Sequence, residues 1–263
     1  MMLMLCTMFA FSACSSDDDD EAKTQSKRIE SISIANHSQV QTLASLYGLT
    51  DDVLKLYFNY NADGTLKSIT SNCNMGWEFT YTGKTIATTD GQFSYTVDDQ
   101  RRIVSHTAKE ADGSAEYTYN WSYDADGYLK SIVDPTGKGT GMTLTYTDGN
   151  LSSYQLYFKS SFTTDRLISS CAGTIDPAFL VDVFAYAFQR EDLFLGMVLN
   201  QNVKVSAYVP SQVEFSSAAN GTKTATLQTS FSNNTLTVKN STSYLFENGH
   251  ISPNTTIVTY TDK

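Results

Sequence analysis

Few side chains in this 263-residue sequence are of the kinds that do chemistry, and their spacing decides what each can do. Three histidines, His37, His106 and His250, stand far apart. None has a neighbour at the short spacing that offers two ligands to one metal ion. The sequence therefore predicts no metal and no cofactor. Carboxylates are plentiful, but most lie in turn-like segments such as Asp98-Asp99 and Asp124-Ala125-Asp126. The pattern places no pair of them for the acid and base roles of a hydrolase. Gly-x-Ser-x-Gly and His-Glu-x-x-His are both missing. Gly137-Lys138-Gly139-Thr140-Gly141 is glycine-rich, but no helical pattern follows it to turn N–H groups toward a phosphate, so a hairpin loop is expected. Asp124-Ala125-Asp126-Gly127 has the opening of a calcium loop without the longer ligand series or the closing glutamate. His106, among polar residues of a strand, reads as exposed or hydrogen-bonded. The expectation is a protein that is not an enzyme. The alternative is a hydrolase using carboxylates at the mouth of a barrel.

Two indoles remain as candidates for ligand binding, because an aromatic face suits the C–H face of a sugar ring. Trp77 follows Asn74-Met75-Gly76 and stands near a loop. Trp121 lies in the middle of an alternating strand, on the face that must be core, where packing is the simpler role. Of four cysteines, Cys73 and Cys171 belong to the body of the chain. Paired, they would close a loop of about 100 residues and add roughly 4–5 kcal/mol in the chain-entropy model. As two separate thiols they would add nothing, and spacing does not choose between these readings.

Cys14 has a different setting. Leu3 to Phe11 is apolar except for Thr7, followed by Ser12, Ala13 and then Cys14. Such a run has the length of a signal-peptide core and falls short of the roughly 20 residues that cross a bilayer. Phe11-Ser12-Ala13-Cys14 resembles the lipobox of bacterial lipoproteins, with Phe11 in place of the usual leucine and no Lys or Arg ahead of the apolar run. The resemblance implies cleavage before Cys14 and acyl chains on it. Ser15-Ser16-Asp17-Asp18-Asp19-Asp20-Glu21 follows, and five consecutive acids repel one another and stay solvated. A serine-plus-acid run after the lipid cysteine also resembles the surface-export signal of Bacteroidota lipoproteins, which implies display on the outer face of the outer membrane. The expected organisation is a signal peptide over 1–13, a lipidated acidic tether over 14–26 and one β-rich domain over 27–263. With a net charge of −10 and no Lys/Arg stripe, nucleic acid is not an expected partner.

The elements that would carry these residues are strands. Tyr117-Thr118-Tyr119-Asn120-Trp121-Ser122-Tyr123 puts aromatics on one face and small polar residues on the other. Leu54, Leu56, Phe58 and Tyr60 alternate with Lys55, Tyr57 and Asn59; Met142, Leu144 and Tyr146 with Thr143 and Thr145; and Val203, Val205, Ala207 and Val209 also alternate. Period-two alternation means strands with one buried face. The turns recur too. Tyr60-Asn61-Ala62-Asp63-Gly64-Thr65-Leu66-Lys67-Ser68-Ile69 returns as Tyr123-Asp124-Ala125-Asp126-Gly127-Tyr128-Leu129-Lys130-Ser131-Ile132. Tyr146–Leu151 is a shorter relative, and Val97–Ile103 fits the frame without the glycine. Asp-Gly supplies the positive φ that ends a tight hairpin loop, so these are internal repeats of one hairpin unit. The frame resembles the tyrosine–aspartate repeats of Rhs-type proteins over about ten residues per unit.

One region breaks the strand pattern. Asp176-Pro177 has the form of a helix start, Ala178 to Phe188 is apolar apart from Asp182, and Leu193 to Leu199 is apolar after a polar stretch. A helix apolar all round is buried, so one or two helices over 177–199 are expected to fill the hollow of a curled sheet. A weaker helix is expected over Ser38–Tyr47, ended by Gly48. Strands resume at Val203–Val209, Val213–Ser216, Lys223–Phe231, Thr235–Asn240, Ser243–Glu247 and Thr256–Tyr260. The predicted fold is mainly β, an antiparallel meander of hairpins, strongly curled or closed into a barrel, with a buried helical segment. Together, lipobox, acidic tether, length and hairpin array resemble a Bacteroidota lipoprotein family of unknown function with a porin-like fold. That resemblance implies a meandering barrel-like sheet and brings no catalytic residues. The anchor, the acidic tether and the missing catalytic motifs lead instead to the expectation of an envelope lipoprotein that binds a glycan or a protein, or serves only as structure.

Overall fold

A computed structural model describes residues 27–35, 48–49, 53–109, 113, 116–136, 141–158, 162–171, 191–200, 202–204, 210–217, 221–240, 244–246, 249–251 and 254–262. The chain meanders through β1 (Lys27–Ala35), β2 (Val53–Tyr60), β3 (Leu66–Ser71), β4 (Gly76–Thr82), β5 (Thr85–Thr88) and β6 (Phe93–Val97). It continues through β7 (Ile103–Lys109), β8 (Glu116–Tyr123), β9 (Leu129–Val133), β10 (Gly141–Thr147), β11 (Asn150–Phe158) and β12 (Phe162–Cys171). A helix, α1 (Glu191–Leu199), precedes β13 (Pro210–Ser217), β14 (Gly221–Ser232) and β15 (Thr235–Asn240). A small hairpin of β16 (Tyr244–Phe246) and β17 (Gly249–Ile251) stands apart, and β18 (Asn254–Asp262) follows. The fold is thus mainly β, an antiparallel meander with a short helix. Each strand of the meander pairs with its sequence neighbour, β15 pairs with β18, and β1 lies between β18 and β2, so the order of pairing returns on itself.

Antiparallel order sorts the connections onto two rims. One rim carries the short turns at 61–65, 83–84, 98–102, 124–128, 148–149 and 233–234, the connection from β12 to β13 that holds α1, and both Lys27 and Asp262, which pair. The other carries the connections after β1, β3, β5, β7, β9, β11, β13 and β15. On the short-turn rim the repeats share one construction. Asp98 Oδ1 accepts from the N–H groups of Gln100 and Arg102, and Asp124 Oδ1 from those of Asp126 and Tyr128. Gly64 (φ 86°) and Gly127 (φ 92°) close their loops in the left-handed region, and Arg101 (φ 64°) does the same without glycine's freedom.

Each repeat turn is followed by an irregularity in register. Tyr60 pairs with Leu66 but Asn59 with Ser68; Val97 with Ile103 but Thr96 with Ser105; Tyr123 with Leu129 but Ser122 with Ser131. The extra residue, Lys67, Val104 or Lys130, shifts the alternation by one, as a β-bulge does. The buried positions therefore fall three apart, at Leu66 and Ile69, at Ile103 and His106, and at Leu129 and Ile132.

Alternation divides the described wall into an apolar inner face and a polar outer one. In β2, Leu54, Leu56 and Phe58 are buried while Lys55, Tyr57 and Asn59 are exposed. In β4, Trp77 and Phe79 are buried between exposed Glu78 and Thr80, and in β8 Tyr119 and Trp121 between Thr118, Asn120 and Ser122. Among the described residues the large exposed hydrophobics are Tyr57 and Val133. The core runs from the aliphatic seam of Ile29, Ile32 and Ile34 with Leu236, Val238 and Val258 to α1, where every residue after Glu191 is buried.

Several sequence expectations need correction. Of the strand expected at Val203–Val209, residues 205–209 lie outside the described residues; Val203 N–H donates to Asn200 O in the turn after α1, and Lys204 makes a single bridge to Tyr128. Within the helical segment expected over 177–199, Glu191 and Asp192 form the first turn of α1. The expected helix at 38–47 and the 177–190 part of that at 177–199 lie outside the described residues, as do the signal segment, Cys14 and the tether. Cys73 is a free, half-buried thiol. It lies in the β3–β4 loop, on the rim opposite the end of β12 where Cys171 stands, so antiparallel order separates the two by the height of the sheet and the disulfide reading fails.

Candidate functional site

The strongest concentration of chemical side chains lies inside, where β6, β7 and β8 meet the first turn of α1. His106 reaches the inner face because the irregularity after Thr96 places it where the neighbouring repeats carry Ile69 and Ile132. Its side chain is fully buried, and its Nε2 lies 2.9 Å from Oδ2 of Asp192, whose side chain is 5% exposed. Trp121 Nε1 donates to His106 Nδ1 at 2.7 Å. An indole N–H can only donate, so Nδ1 is bare, the ring proton sits on Nε2, and Nε2–H donates to the carboxylate. Tyr95 OH donates to the backbone carbonyl of Asp192 at 2.7 Å. The imidazole stacks on Tyr119 with centroids 4.6 Å apart and on Tyr95 at 5.5 Å.

Helix and wall approach closely here because Gly196 faces the aromatics. A Cβ at that position would lie 2.7 Å from the Trp121 ring and 3.0 Å from that of Tyr95. At the other end of α1, Asn200 Oδ1 accepts from Ile103 N–H, and its amide donates to Tyr123 OH at 2.9 Å. Tyr123 OH in turn donates to Ile103 O, and burial pushes that phenol up to about 12. Glu191 opens the helix half-buried. Burial lifts its carboxyl above the usual carboxylate range, the charges of Asp192 and Asp90 push the same way, and a hydrogen bond with Trp77 opposes them.

Chemically, the Asp192–His106 pair is an oriented carboxylate–imidazole unit whose second ring nitrogen is already occupied by Trp121. It holds the helix to the wall, and each of its polar atoms described above has its partner within the protein. Trp77 is also interior: it is buried, and its ring meets Phe194 of α1 edge-on at 6.1 Å. Trp121 packs as its place in the ladder predicts. Neither indole lies on the outer face, where a stacking platform for a sugar would have to be. No group of three or more His, Cys, Asp or Glu side chains comes together among the described residues. The region sequence reading missed is Asp192 with His106. The repeats held a signal for it: Leu66-Lys67-Ser68-Ile69 and Leu129-Lys130-Ser131-Ile132 align with Ile103-Val104-Ser105-His106, which puts a histidine at an isoleucine position.

The same architecture occurs in solved structures. A porin-like protein from Bacteroides uniformis is similar over 89% of this chain and 98% of its own, with a TM-score of 0.58 and 15% identity. A porin-like protein from Bacteroides vulgatus is similar over 89% and 99%, with a TM-score of 0.50 and 11% identity. At such identities the likeness is one of fold. No protein-family model matches the chain, and neither does any curated protein.

Proposed function

We propose that this protein is a non-enzymatic lipoprotein of the cell envelope, held on the outer membrane by acyl chains at Cys14. On this reading the β domain faces the cell exterior and binds a glycan or protein there. The observation that carries it is the polarity of the described wall. A transmembrane barrel turns an apolar band outward and polar groups inward. Here Lys55, Glu78, Thr80, Thr118, Asn120 and Ser122 face out, and isoleucine, leucine and aromatic side chains face in. A wall of this polarity suits water on its outside, so attachment has to come from elsewhere, and the Phe11-Ser12-Ala13-Cys14 segment offers it. The porin-like neighbours add support for an envelope setting. Recognition would fall to exposed loops, since Trp77 and Trp121 are committed to the interior.

Cys14→Ala tests the anchor. The variant is expected to move from the membrane pellet to the soluble fraction while keeping the far-UV spectrum of the parent. A variant that stays in the pellet and resists alkaline carbonate would point to an integral barrel and sink the proposal.

A further inference from the structure

Among the described residues Tyr57 is the large aromatic whose ring is exposed, at 43%. It stands on the outer face of β2, between exposed Lys55 and Asn59 along the strand. We infer that Tyr57 is a stacking platform for one pyranose ring of a neutral glycan, with Lys55, Asn59, Ser31 and Thr70 as the polar groups around it. This rests on the reading of the protein as a glycan binder, and it adds a position on the wall to the exposed loops named above. The fold does not ask for a ring here. Counted from the repeated turn, Tyr57 falls where β8 carries Asn120 and β6 carries Ser94, both turned outward. On the inner face the same alignment pairs Leu56 with Tyr119 and Phe58 with Trp121, all buried and all needed by the core.

Register explains why the ring stays open. Across the sheet Tyr57 pairs with Ser31 of β1 and Thr70 of β3, and Thr70 pairs with Gly76 of β4. Short hydroxyl side chains do not cover a phenol ring, and Gly76 has no side chain at all: a Cβ there would lie 3.2 Å from Ile69 O. The ring therefore has small polar neighbours about 4.8 Å away on either side, and Lys55 and Asn59 about 7 Å away along the strand. Such a setting suits a sugar, whose C–H face packs on an aromatic face while the hydroxyls at its edge find donors and acceptors. It does not suit a protein partner, whose contact needs apolar side chains gathered around the aromatic anchor. Charge chooses among glycans. The exposed charges around the ring are of both signs, Lys55 and Lys67 against Glu30 and Glu78. A stretch of wall so balanced has no basic field to hold a polyanion, and it matches a neutral glycan.

The test titrates the full lipidated protein, in detergent, with cellohexaose, maltohexaose, mannohexaose and xylohexaose. Calorimetry is expected to show the parent binding at least one of these probes. Tyr57→Phe should keep that affinity, and Tyr57→Asn should weaken it about tenfold, the loss of one stacking contact. Asparagine is what β8 carries at this place, so the variant should keep the far-UV spectrum of the parent. Tyr57→Trp gives a second reading that keeps a ring on the wall. Trp77 and Trp121 are buried, so an emission shift to the blue on adding the bound probe reports on position 57. Equal affinity in the parent and Tyr57→Asn, or binding that leaves the Tyr57→Trp emission unmoved, overturns the platform while leaving the glycan reading standing. Binding of none of the probes overturns the platform and the glycan reading together. Tighter binding of hexagalacturonate than of every neutral probe overturns the assignment to a neutral glycan.

Discussion

The seam of the sheet and the wall around α1 bury their inner faces by different means. At the seam, β1, β2, β15 and β18 contribute Ile29, Ile32, Ile34, Leu54, Leu56, Leu236, Val238 and Val258, with two aromatic rings, Phe58 and Tyr260, toward the ends of β2 and β18. Against the helix, β6, β7 and β8 contribute Tyr95, His106, Tyr119 and Trp121, each with a polar atom, beside the apolar Phe93, Val97 and Ile103. Aliphatic chains pack without directional demands, so the aliphatic part of the seam depends on volume. A helix end brings backbone and carboxyl groups into the interior, and each must find a partner or cost more than it contributes. The helix wall is therefore aromatic with polar handles: Tyr95 OH takes the Asp192 carbonyl, His106 the carboxylate, and Trp121 the remaining imidazole nitrogen. The chain needs volume where strand meets strand and paired polar groups where helix meets strand.

The sharpest break of that contrast is at the seam. Ile32 is fully buried, and Ile32→Ala is expected to destabilise by about 2–5 kcal/mol, measured by denaturant unfolding. A cost under about 1 kcal/mol would mean that the seam is not close-packed. On the helix wall, Trp121→Phe keeps most of the ring but removes the N–H from His106. About 1–3 kcal/mol is expected from the acceptor left unpaired. In the nitrogen NMR spectrum the imidazole should lose its fixed Nε2–H form; an unchanged tautomer would show that Asp192 alone sets it.

The smallest effect concerns pH. Glu191 holds its proton more tightly when folded than when unfolded, chiefly because burial disfavours its charge. Its contribution to stability is thus complete below the ordinary carboxylate range and is lost as pH rises through the raised folded value. Glu191→Gln should leave the melting temperature unchanged at acid pH and raise it at neutral pH, with the difference growing across that interval. A variant no more stable than the parent at neutral pH would mean that the bond with Trp77 outweighs burial.

Much of this was legible in the residues, and what was not has a physical cause. Alternation identifies β2, β8 and β10, and the repeated Asp-Gly turn identifies the hairpins, because both are local patterns. Period-two reasoning fails at β7, where one unpaired residue after the turn moves the inner face from Ser105 to His106. Applied strictly it would turn His106 to solvent; aligned to its sister repeats, the same residue falls at an isoleucine position. Asp192 was hidden for another reason. A carboxylate between apolar runs looks like a spacer until its imidazole partner, distant in sequence, is brought against it. Trp77 misled through its neighbours, since Asn74-Met75-Gly76 marks a loop but leaves Trp77 one residue inside β4 with its ring turned inward.

The junction of β1 with β18 has a consequence for how the protein is made. Those strands come from the two ends of the domain, and their ladder runs from Lys27–Asp262 to Ala35–Thr255. During synthesis β1 emerges early and must wait for the final strand before one of its edges is covered. A nascent or truncated chain ending ahead of Asn254 would carry two open edges, on β1 and β15, ready to join other chains. The last nine residues of the described sheet thus act as its clasp, and a frameshift or premature stop there should yield an aggregating, protease-sensitive product rather than a slightly shorter protein.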